Sequence, residues 1–526
     1  MKQRYFSLSA EQAPWSRSGG LAEVAASLPK ALQHHWNSQN DRSNHCHDLI
    51  EIYCISPLYP CVWREVNRQA VRLSPDLELS LKPLGDQNAQ IWTLEDPMYR
   101  DSKVSLHHIF IDIPWAFDRE FLYGEPGQAY HDNPLRFASF CLAALRWIDE
   151  LNKLGQTNQQ EIDTIIHAHD WQSAFLTIYK HEGWGAHTAK TLFTIHNLMH
   201  QGVCDAEWLP RLGLDWTSFH LNYLEHWGQV NPLKAALISV DCVSTVSPTY
   251  ATEILSPEFA CGLDQFFEAN QLCIQGVLNG LDLESWSPYT SPHLAFHLPE
   301  QPSETELTAW KDCMKQALAP SLYTAQQLNF PPLAVLVSRF DIQKGIDLVL
   351  PALETWLEHG GYLYILGSGD PILEQSAMEF TRRFPTQCLC KIGFHLSLAH
   401  QLFAAADLCI IPSRFEPCGL TQMQAMRYGT LPLATPVGGL KDSIIPLNQS
   451  SQTGSQDNGN GFLAFNTSEK ALSNALSEAF DLWNDAEAWL EARQRTLSTD
   501  WSWHQSADHW AKIIDGLINP EGLYKA

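Results

Sequence analysis

The segment Pro412–Thr421 (PSRFEPCGLT) joins a carboxylate to a run of small residues in front of an apolar, helix-like pattern. Backbone N–H groups at the start of a helix have no partner within it, and they favour phosphate. Glu416 has the wrong charge for phosphate, so we expect its carboxylate to accept hydrogen bonds from sugar hydroxyls. The segment therefore predicts a loop that holds both halves of a sugar nucleotide. An ordinary strand-to-helix turn with a solvated Glu explains the segment equally well when it is taken alone.

Two cations follow another apolar run, in the segment 337–345 (VSRFDIQKG). Arg339 ends a predicted strand, and Lys344 comes five residues later. Preorganised cations that face developing charge are among the larger contributions to catalysis. The pair could therefore neutralise the charge on a departing diphosphate, and the alternative is two exposed cations on a loop.

Histidine and aspartate side chains end two further apolar runs. In the first, HAHDW, His167 and His169 share one face of a predicted strand and Asp170 ends it; in the second, FTIHN, His196 ends the strand. A zinc site would need a third ligand, which the sequence does not provide nearby. Two strands of one domain that both end in polar residues favour a shared site instead.

Glycine pairs follow other predicted strands. The segment 16–21 (SRSGGL) contains Gly19 and Gly20, which allow close approach of the backbone to a ligand, and Arg17, which adds a cation for phosphate. Similar turns follow in ILGSGDP (365–371) and TPVGGLKD (435–442). A glycine turn of this kind, taken alone, is usually explained by the chain reversal that it allows, so each is weak evidence for a site.

These motifs need a scaffold in which the ends of several strands meet. Apolar runs alternate with longer helical patterns, in IDTIIHAHD, AKTLFTIHN, DCVSTVSP, PLAVLVSRF, GYLYILGSGD, LCIIPSRF and TLPLATP. Near-continuous apolar runs are typical of parallel strands with helices on both faces, and such sheets bind ligands at the carboxyl ends of their strands. The pattern predicts an α/β fold.

A Pro- and Ser-rich segment, 285–304, follows Asn279–Asp282 and predicts a linker between two domains. Strand–helix alternation is expected to resume near Pro331. Surface loops are predicted at Asn37–Asp48 and Leu447–Gly461. The segment 502–518 (SWHQSADHWAKIIDGLI) predicts an amphipathic helix that must bury its apolar face.

Composition narrows the class of protein. The 526 residues are too many for one ordinary core, and 45% hydrophobic with 18% charged residues indicate a globular chain. A net charge of −25, from 34 basic and 59 acidic side chains, argues against wholesale nucleic-acid binding but not against a nucleotide ligand. No apolar run suits a secretory signal or a membrane span, and 13 scattered cysteines without a CxxC pair indicate a cytoplasmic protein. His45-Cys46-His47 has no second cluster and indicates a solvated loop.

Taken together, the order and spacing of these motifs resemble the bacterial and plant glycogen/starch synthase family, from about Ala13 to Phe462. The resemblance implies a GT-B fold, in which two Rossmann-like domains with parallel sheets face each other across a cleft. We expect residues 1–282 to form the domain on the acceptor and glucose side, residues 283–500 the nucleotide-sugar side, and residues 501–526 a helix that crosses back to the first domain.

The family resemblance also implies an activity. Glucose would be transferred from ADP-glucose to the 4-hydroxyl at the non-reducing end of an α-1,4-glucan, with retention at the anomeric carbon and without a metal or other cofactor. The implied partners are therefore ADP-glucose and a glycogen primer, with no nucleic acid and no membrane. No side chain is an evident covalent nucleophile, so we expect front-face substitution rather than the double displacement of retaining hydrolases.

The resemblance assigns roles residue by residue. Arg339 and Lys344 would hold the diphosphate, and Glu416 would bind the glucose hydroxyls. Asp170 and His196 would line the glucose pocket. The implied substrate-binding residues are Arg17, Gly19 and Gly20 near the N-terminus, Asn197 beside His196, Asn279 at the hinge, Phe394 stacked on the base, and the backbone N–H groups of Cys418, Gly419, Leu420 and Thr421.

Several residues depart from the family pattern, mainly in the first domain. Arg17 stands where Lys is usual, Gln172 where His is common, and His200 where the family has Tyr. These departures keep open the alternative of a catalytically weak paralogue that binds glucan or regulates a partner. A related transferase that uses UDP-glucose also stays open, because the sequence does not distinguish an adenine-binding from a uracil-binding site. A phosphorylase would need a lysine that carries pyridoxal phosphate, and no motif supports one.

Overall fold

The computed structural model describes residues 2–42, 49–67, 71–72, 79–95, 104–125, 127–156, 162–323, 330–447 and 458–519. The chain divides into two units. The first contains residues 1–246, 251–277 and 503–526, and the second contains residues 247–250 and 278–502.

Fifteen strands are described in the first unit. In chain order they are β1 (Lys2–Leu8), β2 (Leu49–Pro57), β3 (Val71–Arg72), β4 (Leu79–Ser80), β5 (Asn88–Glu95), β6 (Val104–Asp112), β7 (Gly124–Glu125), β8 (Gln128–Ala129), β9 (Ile162–His169), β10 (Lys190–Ile195), β11 (Cys204–Asp205), β12 (Glu225–His226), β13 (Gln229–Val230), β14 (Cys242–Thr245) and β15 (Ile274–Gly276).

The second unit adds the strands β16 (Leu333–Phe340), β17 (Tyr362–Gly369), β18 (Cys388–Ile392), β19 (Leu408–Ile411), β20 (Leu431–Ala434) and β21 (Phe462–Leu463). The α-helices of the described residues are α1 (Gly20–Arg42), α2 (Pro60–Val66), α3 (Pro114–Phe117), α4 (Asn133–Gln156), α5 (Asp170–His181), α6 (Pro232–Ile238), α7 (Pro248–Glu253), α8 (Asp264–Asn270), α9 (Glu304–Leu318), α10 (Ile346–Glu358), α11 (Pro371–Arg383), α12 (Leu396–Ala405), α13 (Thr421–Arg427), α14 (Gly438–Ser443), α15 (Glu469–Trp483), α16 (Ala486–Ser498) and α17 (Trp503–Ile518).

The main sheet of the first unit has the order β15-β14-β10-β9-β1-β2-β6-β5-β3. Strands β15 to β6 along this order run parallel, whereas β5 and β3 form an antiparallel edge. Ser7 in β1 is opposite His167 in β9, and His169 in β9 is opposite Thr194 in β10. The carboxyl ends of these three neighbouring strands therefore meet at one edge of the sheet.

Both faces of this sheet are buried, as the continuous apolar runs predict. In β1, Tyr5 belongs to the cluster packed with α1 and α17, whereas Phe6 belongs to the cluster packed with α4 and α5. The segment 502–518 was predicted to be an amphipathic helix, and α17 confirms it: Trp503, Trp510 and Ile514 are buried against α1 and the sheet.

The second unit has a parallel sheet of order β18-β17-β16-β19-β20-β21. The chain leaves β16 on one side to form β17 and β18, and returns to its other side as β19. This reversal is the topological switch point at which Rossmann-like sheets bind ligands. All seven apolar runs that were predicted to be strands contain one of the strands described in the two units.

Asp407, buried directly before β19, anchors this second sheet. It accepts hydrogen bonds from the backbone N–H of Leu333 at 2.8 Å and ion pairs with Lys315 at 2.8 Å and Arg493 at 2.5 Å. The two cations hold the pKa of Asp407 below its usual range although burial opposes this. Helices α9 and α16 are thereby joined to the start of β16 and β19.

Two expectations about local structure were wrong. The segment 285–304 is irregular but it is not a loose linker, since Trp286 is buried and stacks on His400 with ring centroids 4.0 Å apart. The expected restart of strand–helix alternation near Pro331 is found, since β16 begins at Leu333, but helix α9, which begins with a capping box of Ser303 and Glu306, was not predicted. The predicted loop at Asn37–Asp48 is helical as far as Arg42, and its residues 43–48 lie outside the described residues. Residues 448–457 of the loop predicted at Leu447–Gly461 also lie outside them.

Candidate active site

The Glu416 carboxylate lies at the switch point of the second unit and is held there by two hydrogen bonds. Glu416 is buried in the loop between β19 and α13. Its Oε2 atom accepts hydrogen bonds from Lys344 Nζ at 2.6 Å and from Ser413 Oγ at 2.9 Å. The structure therefore brings together two predicted site residues that are 72 positions apart in the chain.

Glycines hold the backbone of the Glu416 loop close to its neighbours. A Cβ atom on Gly438 would lie 2.0 Å from the carbonyl oxygen of Glu416, and one on Gly439 would lie 1.9 Å from that of Cys418. The backbone N–H of Gly439 also donates to the Glu416 carbonyl at 3.0 Å. The TPVGGL motif is thus explained by the close approach of two backbones, for which only glycine leaves room.

The loop that carries Lys344 is joined to the Glu416 loop by further hydrogen bonds. Gln343 Nε2 donates to the carbonyl oxygen of Phe415 at 3.2 Å. In return, the backbone N–H of Arg414 donates to the carbonyl oxygen of Gln343 at 2.7 Å. Gly345 has a φ of +67°, a conformation that favours glycine. Both loops are therefore held in place by backbone contacts as well as by the Lys344–Glu416 ion pair.

Unlike Glu416 and Lys344, the side chains of Arg339 and Phe394 are largely exposed to solvent. The Arg339 side chain is 62% exposed, and its Nη2 atom is 3.6 Å from Asp341 Oδ2. Phe394 is 79% exposed in the turn between β18 and α12. In the part of the chain that the structure describes, neither side chain is hydrogen-bonded to or stacked against Glu416 or Lys344.

Asn279 and Cys418 contact each other beside the same loop. Both are buried, and the backbone and side chain of Asn279 hydrogen-bond the Cys418 thiol. Burial raises the pKa of Cys418 to about 12, so the thiol stays protonated. The Oδ1 atom of Asn279 is buried without a hydrogen-bond partner among the described residues. The loop continues through Gly419, which has a φ of +72°, and Leu420 to Thr421, the first residue of α13.

Asp170 is the centre of the candidate site in the first unit. It lies at the junction of β9 and α5 with a φ of +57°, a conformation that is uncommon for residues other than glycine. Its Oδ1 atom accepts hydrogen bonds from the backbone N–H groups of His196 at 2.7 Å and Asn197 at 3.4 Å. Burial raises the pKa of Asp170 to about 7, although these two hydrogen bonds act in the opposite direction.

A row of buried and partly buried imidazoles lies beside Asp170. His196 Nε2 is 3.0 Å from His169 Nδ1, and His169 Nε2 is 3.1 Å from Ser7 Oγ. Burial lowers the pKa of His196 to about 3 and that of His169 well below its usual value. Both imidazoles are therefore neutral at physiological pH, and His196 is not a cation there.

His167 uses both ring nitrogens within the protein. Nδ1 is 2.5 Å from the hydroxyl of Tyr5, and Nε2 is 2.5 Å from Thr194 Oγ1. The zinc interpretation of HAHDW therefore lacks a ligand at this position. Among the residues that the structure describes, no group of three or more His, Cys, Asp or Glu side chains could hold a metal ion. His45-Cys46-His47 lies outside them.

The glycine turn near the N-terminus is organised by Glu11, which the sequence did not single out. The Glu11 carboxylate accepts hydrogen bonds from the backbone N–H of Ser18 at 2.5 Å, from Ser18 Oγ at 2.6 Å and from the hydroxyl of Tyr123 at 2.5 Å. Arg17 forms an ion pair with Glu23 at 3.3 Å. The negative charge of Glu11 also contributes to the raised pKa of Asp170, which relates this turn to the Asp170 site.

The two glycines of this turn, Gly19 and Gly20, are exposed. A Cβ atom on Gly19 would meet no other atom within 4 Å. Packing within the protein therefore does not require a glycine at this position. No local pattern points to Glu11, because its partner Tyr123 is 112 residues away in the sequence.

Comparison with known proteins identifies the family. The model of the starch synthase catalytic domain matches residues 6–269, and that of glycosyl transferases group 1 matches residues 325–496. A glycogen synthase of Anaeromyxobacter dehalogenans (strain 2CP-C) is 36% identical over 517 residues, which cover 97% of this chain and 98% of that protein. The chain belongs to the glycogen and starch synthase family. A family member from Rhodopirellula baltica, also a glycogen synthase, is 33% identical over 529 residues and 97% of each chain.

Solved structures agree with this family. The catalytic domain of starch synthase IV from Arabidopsis thaliana, bound to ADP and acarbose, has a TM-score of 0.79 at 32% identity and covers 98% of this chain and 99% of that one. Sucrose-phosphate synthase from Thermosynechococcus elongatus has a TM-score of 0.52 at 17% identity, with 98% and 99% coverage, and supports the fold alone. The predicted family, the GT-B fold class with two Rossmann-like domains, and the assignment as a glycogen or starch synthase are confirmed.

In the described part of this family member, no helix has the length and apolar character needed to cross a membrane.

Proposed function

We propose that this glycogen/starch synthase transfers glucose from ADP-glucose to the non-reducing-end 4-hydroxyl of an α-1,4-glucan, with retention of configuration. The observation that carries the proposal is the Lys344–Glu416 ion pair, with 2.6 Å between Nζ and Oε2, on two loops fixed by backbone contacts. A fixed cation suits a diphosphate, and a buried carboxylate beside it suits the hydroxyls of the attached sugar. The donor and acceptor are those implied by the family.

In the proposed reaction, Lys344 and the exposed Arg339 neutralise the charge that develops on the departing diphosphate. A diphosphate that is neutralised in this way leaves without strong acid catalysis, so the glucosyl centre acquires oxocarbenium-like character. Glu416 holds the glucose hydroxyls, and its bond to Lys344 fixes the orientation of both groups before the donor binds. Such preorganisation lowers the barrier because the groups need not rearrange during the reaction.

The residues of the first unit are proposed to act as neutral or weakly charged groups. His196 has a pKa of about 3, so it offers an uncharged imidazole and its backbone to the glucose. Asp170 fixes that backbone through hydrogen bonds to the N–H groups of His196 and Asn197. Arg17, Gly19, Gly20, Asn279 and Phe394 keep their proposed substrate-binding roles, as do the backbone N–H groups of residues 418–421.

We also propose front-face substitution without a covalent intermediate. Cys418 stays protonated because its pKa is about 12, and Glu416 already accepts two hydrogen bonds, which weakens it as a nucleophile. The test is mass spectrometry of the enzyme quenched during turnover. A glucosyl adduct on a carboxylate would overturn this mechanism, and unmodified enzyme throughout turnover supports it.

The test of the function itself is incorporation of radiolabelled glucose into a glycogen primer. ADP-glucose and UDP-glucose are compared at equal concentrations and a fixed primer concentration, and then in competition. We expect ADP-glucose to be the preferred donor. Preference for UDP-glucose would overturn the proposed donor, and no incorporation from either would favour the glucan-binding paralogue. The 13 scattered cysteines favour a reducing compartment, so the proposed location is the cytoplasm.

A further inference from the structure

A tryptophan occupies an unfavourable position at the tip of a hairpin in the first unit. Trp227 and Gly228 form the two-residue loop between β12 and β13, and their φ angles are +53° and +78°. A loop with two positive φ angles is typical of a type I′ turn, for which Asn-Gly is preferred. The Trp227 side chain is 82% exposed, so it contributes little to the core. This tryptophan therefore adds conformational strain without a gain from burial, which indicates a contact outside the fold.

The hairpin is next to a recess, and a second exposed tryptophan packs against a residue that lines this recess. Phe219, His220, Leu221, Asn222 and Glu225 line the recess. Trp216, which is 56% exposed, packs edge-on against Phe219 with ring centroids 5.6 Å apart. Glu225 Oε1 accepts a hydrogen bond from the backbone N–H of Gly228 at 2.8 Å, which joins the recess to the hairpin tip. We call these residues together with Trp227 the tryptophan patch.

The polar groups of the patch suit a ligand with hydroxyl groups. The Oε2 atom of Glu225 is buried and has no hydrogen-bond partner among the described residues. A buried acceptor without a donor costs free energy that a ligand hydroxyl would recover. Asn222 and His220 are exposed and add donors and acceptors. Aromatic faces combined with hydrogen-bonding groups match a sugar ring, which has apolar C–H faces and a hydroxyl rim, and the Glu225 carboxylate in the recess disfavours an anionic ligand.

Hydrogen bonds from buried side chains hold the backbone of the tryptophan patch in place. The Nζ atom of the buried Lys234 donates to the carbonyl oxygens of Leu221 and Glu225, both at 2.5 Å. At the base of the hairpin, Asn231 Nδ2 donates to Gln201 Oε1 at 2.6 Å. Gln201 lies in the loop that follows His196, so the patch is connected to the candidate site of the first unit. A rigid surface loses little entropy when it binds a flexible chain.

We propose that the tryptophan patch binds a chain of α-linked glucose units, with sugar rings stacked on Trp227 and Trp216 and a hydroxyl donated to Glu225 Oε2. This inference rests on the proposed function, because the occupant is the glucan that serves as acceptor. The patch is a second contact for a polymer of which the candidate site holds only one end. Its loss raises the KM for glycogen, whereas kcat at saturating glycogen is nearly unchanged.

The decisive variant is Trp227→Asn. Asn suits the turn better than Trp, so the melting temperature is expected to stay the same or rise, while the affinity for glycogen in a native affinity gel falls about tenfold. Trp227→Tyr keeps a ring and should lower the affinity by less than about threefold. Trp216→Ala is a second variant that should lower the affinity for glycogen. The matched control is Phe465→Ala, which removes a 92% exposed aromatic side chain of the second unit and should leave this affinity unchanged.

The outcomes separate this inference from the proposed function. Unchanged glycogen affinity in both Trp227→Asn and Trp216→Ala overturns the patch, even when the native enzyme transfers glucose normally. A native enzyme that incorporates no glucose but binds glycogen through Trp227 overturns the proposed function and supports the patch. A change of oligomeric state in Trp227→Asn, measured by light scattering, with unchanged glycogen affinity would assign the surface to a second copy of the chain and overturn the proposal.

Discussion

The candidate site residues of the two units are prepared by different physical means. In the first unit, Asp170 is buried and His196 is partly buried, and removal from water moves their pKa values towards the uncharged forms. In the second unit, Lys344 and Glu416 are paired as opposite charges, while Arg339 is exposed to solvent. The first unit therefore offers fixed dipoles and the second offers fixed charges.

The largest expected effect comes from removing a charge in the second unit. Lys344→Ala should lower kcat about 100-fold, because a preorganised donor to the leaving group is lost. Steady-state incorporation of glucose into glycogen measures it, and circular dichroism checks that the fold is intact. Arg382→Ala, which removes an exposed cation of the same unit, should leave kcat nearly unchanged. A rate for Lys344→Ala within twofold of the native rate would refute its role in neutralising the leaving group.

The second expected effect concerns acid stability, where the first unit should be the weaker one. Burial lowers the pKa values of four histidines of the first unit, whereas the unfolded chain binds these protons at about pH 6.5; the four are His108, His167, His169 and His196. The unfolded state therefore binds more protons below pH 6.5, and stability is lost as the pH falls. Asp170, with its raised pKa, acts in the opposite direction between about pH 7 and 4.

Hydrogen exchange of the two units at pH 6.5 and 5.5 tests this balance. The free energy of unfolding of the first unit should fall by about 3 kcal/mol over this range, since four histidines outweigh one aspartate. The second unit should lose less, because the lowered pKa of Asp407 keeps its buried ion pairs intact to below the usual range of an aspartate. Equal losses in the two units would contradict the contrast between burial and charge.

The third effect separates sugar from nucleotide in the second unit. Glu416→Gln should lower kcat about tenfold, because the glucose loses a charged acceptor of hydrogen bonds. The affinity for ADP, measured by calorimetry, should change by less than about threefold, because Lys344 remains. Asp347→Asn, which alters the exposed Arg414–Asp347 ion pair nearby, is the matched control and should be silent. An equal loss of ADP affinity in Glu416→Gln would show that Glu416 acts on the nucleotide.

The smallest effect should appear in the pH profile of Asp170→Asn. The native kcat/KM should rise with pH through about 7 as Asp170 ionises and strengthens its bonds to the N–H groups of His196 and Asn197. Asn keeps the shape and an acceptor oxygen but does not titrate. The variant should therefore be about threefold slower at pH 8 and should lack the rise near pH 7. A rise that persists in the variant would assign the titration to another group.

The sequence predicted the parallel sheets because their signal is local. Each run of apolar residues reports burial of a strand on both faces, and the glycine motifs report close backbone contacts such as those of Gly438 and Gly439. The pairing of Lys344 with Glu416 was within reach, because both follow strands that flank the switch point. The helix α9 was missed although Ser303 and Glu306 have the spacing of a capping box.

Other features depend on contacts that no local pattern reports. Glu11 organises the glycine turn through Tyr123, and burial alone makes His196 neutral. The sequence shows which side chains exist but not how much water surrounds them, so it cannot fix their charge. The tryptophan at position 227 has no period or motif around it, and only the positive φ of its backbone marks it as unusual.

The position of α17 has a consequence for how the protein is made. Trp510 is fully buried and lies against His167 with ring centroids 5.1 Å apart, so the last helix completes a core whose other parts are translated first. During synthesis, all of residues 278–502 emerge from the ribosome before this helix can dock. The nascent first unit therefore waits with an open apolar groove along α1 and the sheet. Chaperones are expected to act on this groove, and premature termination before Trp503 should yield aggregates rather than a half-active enzyme.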